Sequence, residues 1–418
     1  MGLIMKRTCT MLKILQFSIL MVICVACGGK SDDLASPNTI SFWHFWSEPS
    51  QKKAVNELID QFEKENNCNV VTTELSWNDG KIKLFAAFNS NTAPDVLELG
   101  SDWVAQFSHS GILASMNAKE MSIANYEKEF TVPCYYKKQL YAIPWVANTR
   151  LVFYNNELFK KAGIPENTPP KTIDEMYAYA ERINAIKGAY GFGVNGSDPH
   201  RLYKKLIPFM WSFGGEIFDQ QGNLNLNTAE NVRAFEAYAS LSRVGIIETQ
   251  KKLDDMFARG EVGLWISGTW LIDKIKEVNP FLNYSVALFP GVTADQPGIS
   301  FAGAEYLAIN SQSKKQELSK KLIKFLADGK NSLALCKAIK DAGFPADKNY
   351  FADQYFKTLP FMPTFIEQLK HAKLTPQHAK WLDVESALEE AMVEVLYGKK
   401  GTYEVLNEIT STLGTKIK

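Results

Sequence analysis

From Thr39 to His109 the chain alternates β runs with amphipathic helices, and that order admits few folds. Thr39 to Trp46 reads as a strand, Thr-Ile-Ser-Phe-Trp-His-Phe-Trp, broken by Ser47-Glu48-Pro49. Ala54, Val55, Leu58, Ile59 and Phe62 then recur at helical spacing, ending near Asn66-Asn67. Asn69 to Leu75 is a second strand, Lys81 to Phe88 a second helix, and Asp95 to Leu99 a third strand. Asp102-Trp103 opens a helix to His109, stopped by Gly111. This succession is that of a parallel sheet with helical crossovers. Ligands bind such sheets at the carboxyl ends of the strands, and Trp46-Ser47-Glu48 and Gly100-Ser101-Asp102-Trp103 are two such ends.

The stretch Tyr141 to Asn155 begins as a short β run, is expected to break at Pro144-Trp145, and resumes from Thr149 to Tyr154. Proline cannot donate to a sheet ladder, so no central strand is expected to pass straight through it. A helix, Glu157-Leu-Phe-Lys-Lys-Ala, follows and is closed by Gly163. The stretch reads as the chain crossing from one α/β lobe to another, with Trp145, Asn148 and Arg150 where a cleft would lie; the plainer alternative is an ordinary strand with a proline start. Beyond it, Thr172-Ile-Asp-Glu175 is a capping box and Tyr190 to Val194 a strand. Asn195 to Arg201 is a polar loop entering a helix, and Met256 to Trp270 reads as helix, turn, strand and loop. Tyr284 to Phe289 and Glu305 to Ile309 are further strands, and the tail is helical, notably from Trp381 to Leu396.

The 418 residues suffice for two domains. Basic and acidic residues balance at 46 each, which gives no footprint for nucleic acid. The first segment is not fold. Lys6, Arg7 and Lys13 lead into a short apolar run from Ile14 to Ala26, and Val25-Ala26-Cys27-Gly28 precedes a polar linker. This is a secretory layout, with residues 1–26 as signal peptide and 27–37 as linker. The small residue before Cys27 resembles a bacterial lipobox, although Cys24 stands where leucine is usual. By that resemblance Cys27 is the first mature residue and carries lipid. Cys68, Cys134 and Cys336 then remain, with no metal-ligand spacing among them.

Several stretches together resemble the extracellular solute-binding proteins of ABC importers, specifically the maltose-binding-protein-like sugar binders. They are Phe42 to Ser47, Ala93-Pro-Asp-Val96, Ile143 to Gly163 with Pro169-Pro-Lys-Thr172, Phe257 to Trp270, and Phe301-Ala-Gly-Ala-Glu-Tyr-Leu-Ala-Ile-Asn310. The resemblance implies an α/β, two-lobe periplasmic-binding-protein-like fold (type II), each lobe a β-sheet flanked by helices, joined by hinge strands. Lobe one would hold 38–147 plus about 300–350, and lobe two 148–299 plus about 351–418. The expected function is capture of a sugar, as an oligosaccharide, in the interlobe cleft and delivery to the permease transmembrane subunits. The protein would be a monomer, lipid-anchored in the cell envelope on the periplasmic or extracellular face.

A sugar site needs planar polar groups for the hydroxyls and an aromatic for the apolar face. The expected ligand residues are Trp46, Ser47 and Glu48, Asp102 and Trp103, Asn148, the loop residues Asp198, His200 and Arg201, Trp270, and Gly303 with Glu305. His44, Trp77, Asn78, Arg150, Trp211 and Trp381 are further candidates. No phosphate loop, His-Glu-x-x-His or Gly-x-Ser-x-Gly motif occurs, so no catalytic residue, cofactor or metal is expected. Two alternatives stand beside this reading. One is the same fold with a non-sugar solute, such as glycerol phosphate or a polyamine, for which Arg150 and Arg201 could meet a phosphate. The other is a secreted carbohydrate-active enzyme.

Overall fold

The computed structural model describes residues 36–417 apart from Asn78, Pro199 and Lys340. The signal segment, Cys27 and nearly all of the linker lie outside them. The aromatic and β-branched run Thr39–His44 forms strand β1, and Pro49–Asn66 forms helix α1. Proline is at home in the first turn of a helix, and α1 ends at Asn67 in the left-handed region, φ 48°. Its buried residues, Ala54, Val55, Leu58, Ile59 and Phe62, lie on one face. There follow β2 (Asn69–Glu74), α2 (Gly80–Asn89), β3 (Val96–Gly100) and α3 (Val104–His109). β1 pairs in parallel with β2 on one side and β3 on the other, as the crossover pattern requires.

A small hairpin, β4 (Tyr135–Tyr136) and β5 (Gln139–Leu140), leads into β6 (Ala142–Thr149), and β7 (Leu151–Asn155) begins one residue later. The expected break at Pro144 is therefore misplaced. The strand runs through Pro144, and the interruption falls at Arg150. A bulge makes this possible: Glu305 pairs with Val146 and Tyr306 with Pro144, so Trp145 is the extra residue. Bulges are among the few places where a sheet admits proline.

The chain continues through α4 (Asn156–Lys161), α5 (Ile173–Asn184), β8 (Tyr190–Asn195), α6 (Tyr203–Ser212) and α7 (Ala229–Ser240). Then come β9 (Gly245–Glu248), α8 (Gln250–Ala258), β10 (Val262–Ser267), α9 (Trp270–Val278) and β11 (Tyr284–Ala287). β12 (Ser300–Ile309) returns to the first sheet, followed by α10 (Gln316–Ala327), α11 (Gly329–Ala338) and β13 (Phe344–Pro345). The tail holds α12 (Met362–Leu369), β14 (Ala372–Lys373), α13 (Trp381–Leu396) and α14 (Thr402–Ile417).

Two main sheets result. One has the order β13-β6-β12-β3-β1-β2, with β14 added to β12; the other is β11-β7-β10-β8-β9. Each carries helices and its own large buried side chains: Phe42, Phe107, Trp145 and Tyr306 in the first lobe, Phe153, Phe192 and Trp265 in the second. α13 and α14 pack on α7, and α13 also touches α3 of the first lobe. Cys68, Cys134 and Cys336 are all free and buried. Among the described residues no helix is long and apolar enough to cross a membrane.

Gly191 shows how tightly α5 lies on β8. A Cβ built there would stand 1.9 Å from the carbonyl oxygen of Ala180 and 2.4 Å from that of Val244, both backbone. Gly191→Ala is expected to cost about 1–3 kcal/mol in chemical denaturation, whereas Gly401→Ala, with nothing within 4 Å, stays within about 0.5 kcal/mol of wild type.

Candidate functional site

The two sheets meet at Arg150, the single residue between β6 and β7. Thr149 donates its hydroxyl to the Phe301 carbonyl at 2.8 Å, and Ser300 donates its hydroxyl to the Arg150 carbonyl at 2.7 Å. Asn148, beside them, donates to the Thr269 hydroxyl at 2.7 Å, which in turn donates to the Asp341 carbonyl at 2.8 Å. The crossing is thus stitched to both lobes by short side-chain bonds.

On the first lobe, Trp77 stacks on Phe45 with centroids 4.0 Å apart and borders Trp103 at 5.6 Å. Asp102, 5 % exposed, accepts a 3.1 Å hydrogen bond from the hydroxyl of Tyr203, which belongs to the second lobe. Gly100 makes room for that carboxylate, because a Cβ there would lie 2.4 Å from Asp102 Oδ1. Glu305 and Gly303 are half-buried on β12. Burial pushes the Glu305 carboxyl up to about 7; Lys204 opposes this, Asp102 adds to it, and Arg150 opposes it again.

Other first-lobe candidates lie elsewhere. His44 shares the inward face of β1 with Phe42 and is wholly buried, so desolvation lowers its pKa to about 4 and it stays neutral. Trp103 is a core residue, 2 % exposed, between Phe45 and Phe107. Trp46 is also buried, edge-on to Trp145. Ser47 and Glu48 are exposed, and the Glu48 backbone N–H is engaged by the Gln51 side chain at 3.2 Å at the start of α1. Asn78 lies outside the described residues.

On the second lobe, the indole N–H of Trp270 donates to Asp254 at 2.9 Å. The same carboxylate takes Trp265 Nε1 at 2.7 Å and Ser267 Oγ at 2.9 Å. The Trp270 ring lies against Gly268 on one side and carries the Arg150 guanidinium 4.5 Å from its centroid. Lys204 Nζ stands 5.9 Å from the Trp77 ring, 5.5 Å from Tyr203 and 5.7 Å from Phe301. Trp381 is wholly buried, edge-on to Tyr203 at 5.6 Å. Asp198 is engaged locally, accepting from the Gln250 N–H and from Asn195 Nδ2 at 3.4 Å, so it is a loop clamp. Trp211 is buried at the far end of α6, under Lys373. Arg201 is half-buried in the turn before α6.

His200 joins a charged knot behind Tyr203. Its Nδ1 meets Glu385, and its backbone N–H donates to Glu389 at 2.8 Å; Tyr203 N donates to the other Glu389 oxygen at 3.1 Å. His200, Glu385 and Glu389 offer ligand atoms within 4.8 Å of one another, a spacing a metal could use. Lys81, from the first lobe, puts its ammonium 3.5 Å from His200 Nδ1 and supplies positive charge there. Sequence reasoning missed Lys81, Tyr203, Lys204, Phe301, Glu385 and Glu389. Only Tyr203 and Lys204 carried a local signal, their place at the start of a helix after a polar loop.

With this geometry in view, comparison with known proteins becomes decisive. Residues 46–331 match the family described as bacterial extracellular solute-binding protein. The chain belongs to that family. It is 27% identical over 377 residues to a binding protein of Brucella abortus, covering 87% of this chain and 89% of that one. It is 28% identical over 339 residues to the diacetylchitobiose binding protein DasA of Streptomyces coelicolor, covering 76% and 78%. A solved ABC transporter solute-binding protein of Thermotoga lettingae, bound with alpha-D-tagatose, superposes with a TM-score of 0.81 at 23% identity, covering 91% of this chain and 100% of that one. The solute-binding protein thus has the two-lobe type II fold, and its family consists of binding proteins, not enzymes.

Burial raises the Glu389 carboxyl to about 7, with Glu385 adding to the rise and the two backbone N–H groups opposing it. The native protein therefore keeps this proton after the unfolded chain has lost it, and the group destabilises the fold increasingly as pH climbs from 4.5 to about 7. His44 acts oppositely, stability rising as pH rises from about 4 toward 6.5. Comparing wild type with Glu389→Gln isolates the first effect. Between about pH 5 and 7.5 the wild-type melting temperature should fall relative to the variant, and a constant difference would refute the assignment.

Proposed function

We propose that this protein is the substrate-binding component of an ABC importer and captures a sugar, as an oligosaccharide, between its lobes. The carrying observation is the set of groups gathered at the crossing. Trp77 from one lobe and Trp270 from the other flank Asp102, Glu305, Arg150 and Lys204. Rings for an apolar sugar face and charged hydrogen-bonding groups for its hydroxyls are what such a ligand requires. The names of relatives that bind diacetylchitobiose and tagatose support this reading.

The lobes in this reading are 38–147 with about 300–350, and 148–299 with about 351–418, a division that sheet membership supports except at β14 (Ala372–Lys373), which pairs with β12 of the first sheet. Closure follows from contacts that exist only when the lobes approach. Tyr203 to Asp102 and Lys81 to His200 are two of them, and a ligand touching both lobes shifts the population toward that state. The closed form would then dock on the permease. Cys27 would hold the protein to the membrane by lipid, on the periplasmic or extracellular face. Cys27→Ser is expected to move it from the membrane fraction to the soluble envelope fraction.

A thermal-shift screen over mono- and oligosaccharides tests the ligand class, since a ligand at about 100 times its dissociation constant stabilises the fold by about 2.7 kcal/mol. A flat response across the panel would end the sugar reading. Trp270→Ala should then weaken the best hit about tenfold in calorimetry, the scale of one aromatic contact. Unchanged affinity would remove Trp270 from the site.

A further inference from the structure

The cleft holds two cations that the fold leaves without anionic partners. Arg150 is 8 % exposed, and its guanidinium lies 4.5 Å from the Trp270 centroid and 5.5 Å from that of Phe301. Among the described residues its side chain makes one hydrogen bond, from Nη1 to the Thr149 carbonyl at 3.2 Å, and Nε is buried with no acceptor. No carboxylate oxygen stands within ion-pair distance of it among the described residues. Ring faces offset only part of the desolvation of a buried charge, and its lowered pKa, about 10, reflects that loss. Lys204, half-buried, sits over the same Phe301 ring at 5.7 Å and makes no hydrogen bond or ion pair among the described residues.

The neighbouring acids act on these cations only from beyond ion-pair distance. Asp102 is engaged by Tyr203, and Asp254 by three donors. Burial pushes the Glu305 carboxyl up to about 7, which favours its neutral form. The Nε–Nη2 edge of Arg150, the edge that pairs with planar anions, lies beside Gly303, where an added Cβ would come 3.9 Å from Nη2. Glycine there places no side chain against that edge, which has no acceptor among the described residues.

We propose that the cleft takes a sugar bearing a fixed anion, a carboxylate, sulfate or phosphate, which the free edge of Arg150 and the ammonium of Lys204 grip together. This rests on the sugar reading above and narrows it. The ligand's anion supplies the partner that the hinge guanidinium lacks, and its ring lies along the aromatic groups that now hold the two cations.

The test is calorimetry on the mature protein with matched probes: glucose, glucuronate, glucose sulfate and glucose phosphate, each free and as the terminal ring of a disaccharide. At least one charged probe should bind about tenfold or more tightly than its neutral counterpart, with affinity falling between about 50 and 500 mM salt. The responding arm names the anion. Lys204→Gln should reduce charged-probe affinity about tenfold and flatten the salt dependence, with a melting curve to show that it folds. Arg150→Lys, which keeps the charge but loses the planar edge, should reduce it too. Neutral probes binding as tightly as every charged one would overturn the proposal and leave the sugar reading standing. So would a Lys204→Gln variant that keeps the full preference for charge. Binding of neither series would remove both.

Discussion

The exchange of hydroxyl-to-carbonyl bonds between Thr149 and Phe301, and between Ser300 and Arg150, is what the two-lobe arrangement depends on. Thr149 and Ser300 are wholly buried, so each bond replaces water that cannot reach the site, and losing either would strand a carbonyl. The pair fixes the start of β12 beside the point where β6 of the first sheet passes into β7 of the second. Sliding one strand past the other would break both bonds at once.

Charge inside the cleft follows from the same closure. With water excluded, each ionised group must find a partner within the protein or shift its protonation. Asp254 is held by Trp265, Ser267 and Trp270, and Glu389 by two backbone N–H groups. Lys81 reaches across from the first lobe to the knot of His200, Glu385 and Glu389. Of these contacts Lys81 to His200 spans the two lobes, while those of Asp254 and Glu389 lie within the second. Separating the lobes would return Lys81 to solvent, which softens the electrostatic cost of losing that contact.

The fold was legible because its strands and helices keep their periods. β1, α1, β2, α2 and β3 follow from residue spacing alone, and α13 spans Trp381 to Leu396 as expected. Where the reading failed, a tertiary feature outweighed the local rule. The bulge at Trp145 carries a strand through Pro144, and β9 is only four residues long, with no alternation to reveal it. The candidate site was legible only in part, for a related reason. Asp102 and Trp270 stand at strand ends, where local pattern points. Trp103 and Asp198 also lie close to strand ends, yet packing takes one and a helix start takes the other. Tyr203, Lys204, Phe301 and Glu385 matter through contacts between segments far apart in the chain, 185 residues for His200 and Glu385, which no local pattern carries.

Asp254 has a consequence for how such a protein can change its diet. One carboxylate pins a tryptophan of the second sheet, Trp265, and the tryptophan at the crossing, Trp270, so the proposed recognition surface and the core of that lobe share a fastener. Variation around Trp270 is taxed by foldability, while the exposed side chains of Ser47 and Glu48 carry less packing to lose. Lineages exploring new nutrients would then be expected to diversify at those two positions and preserve the pinned plate.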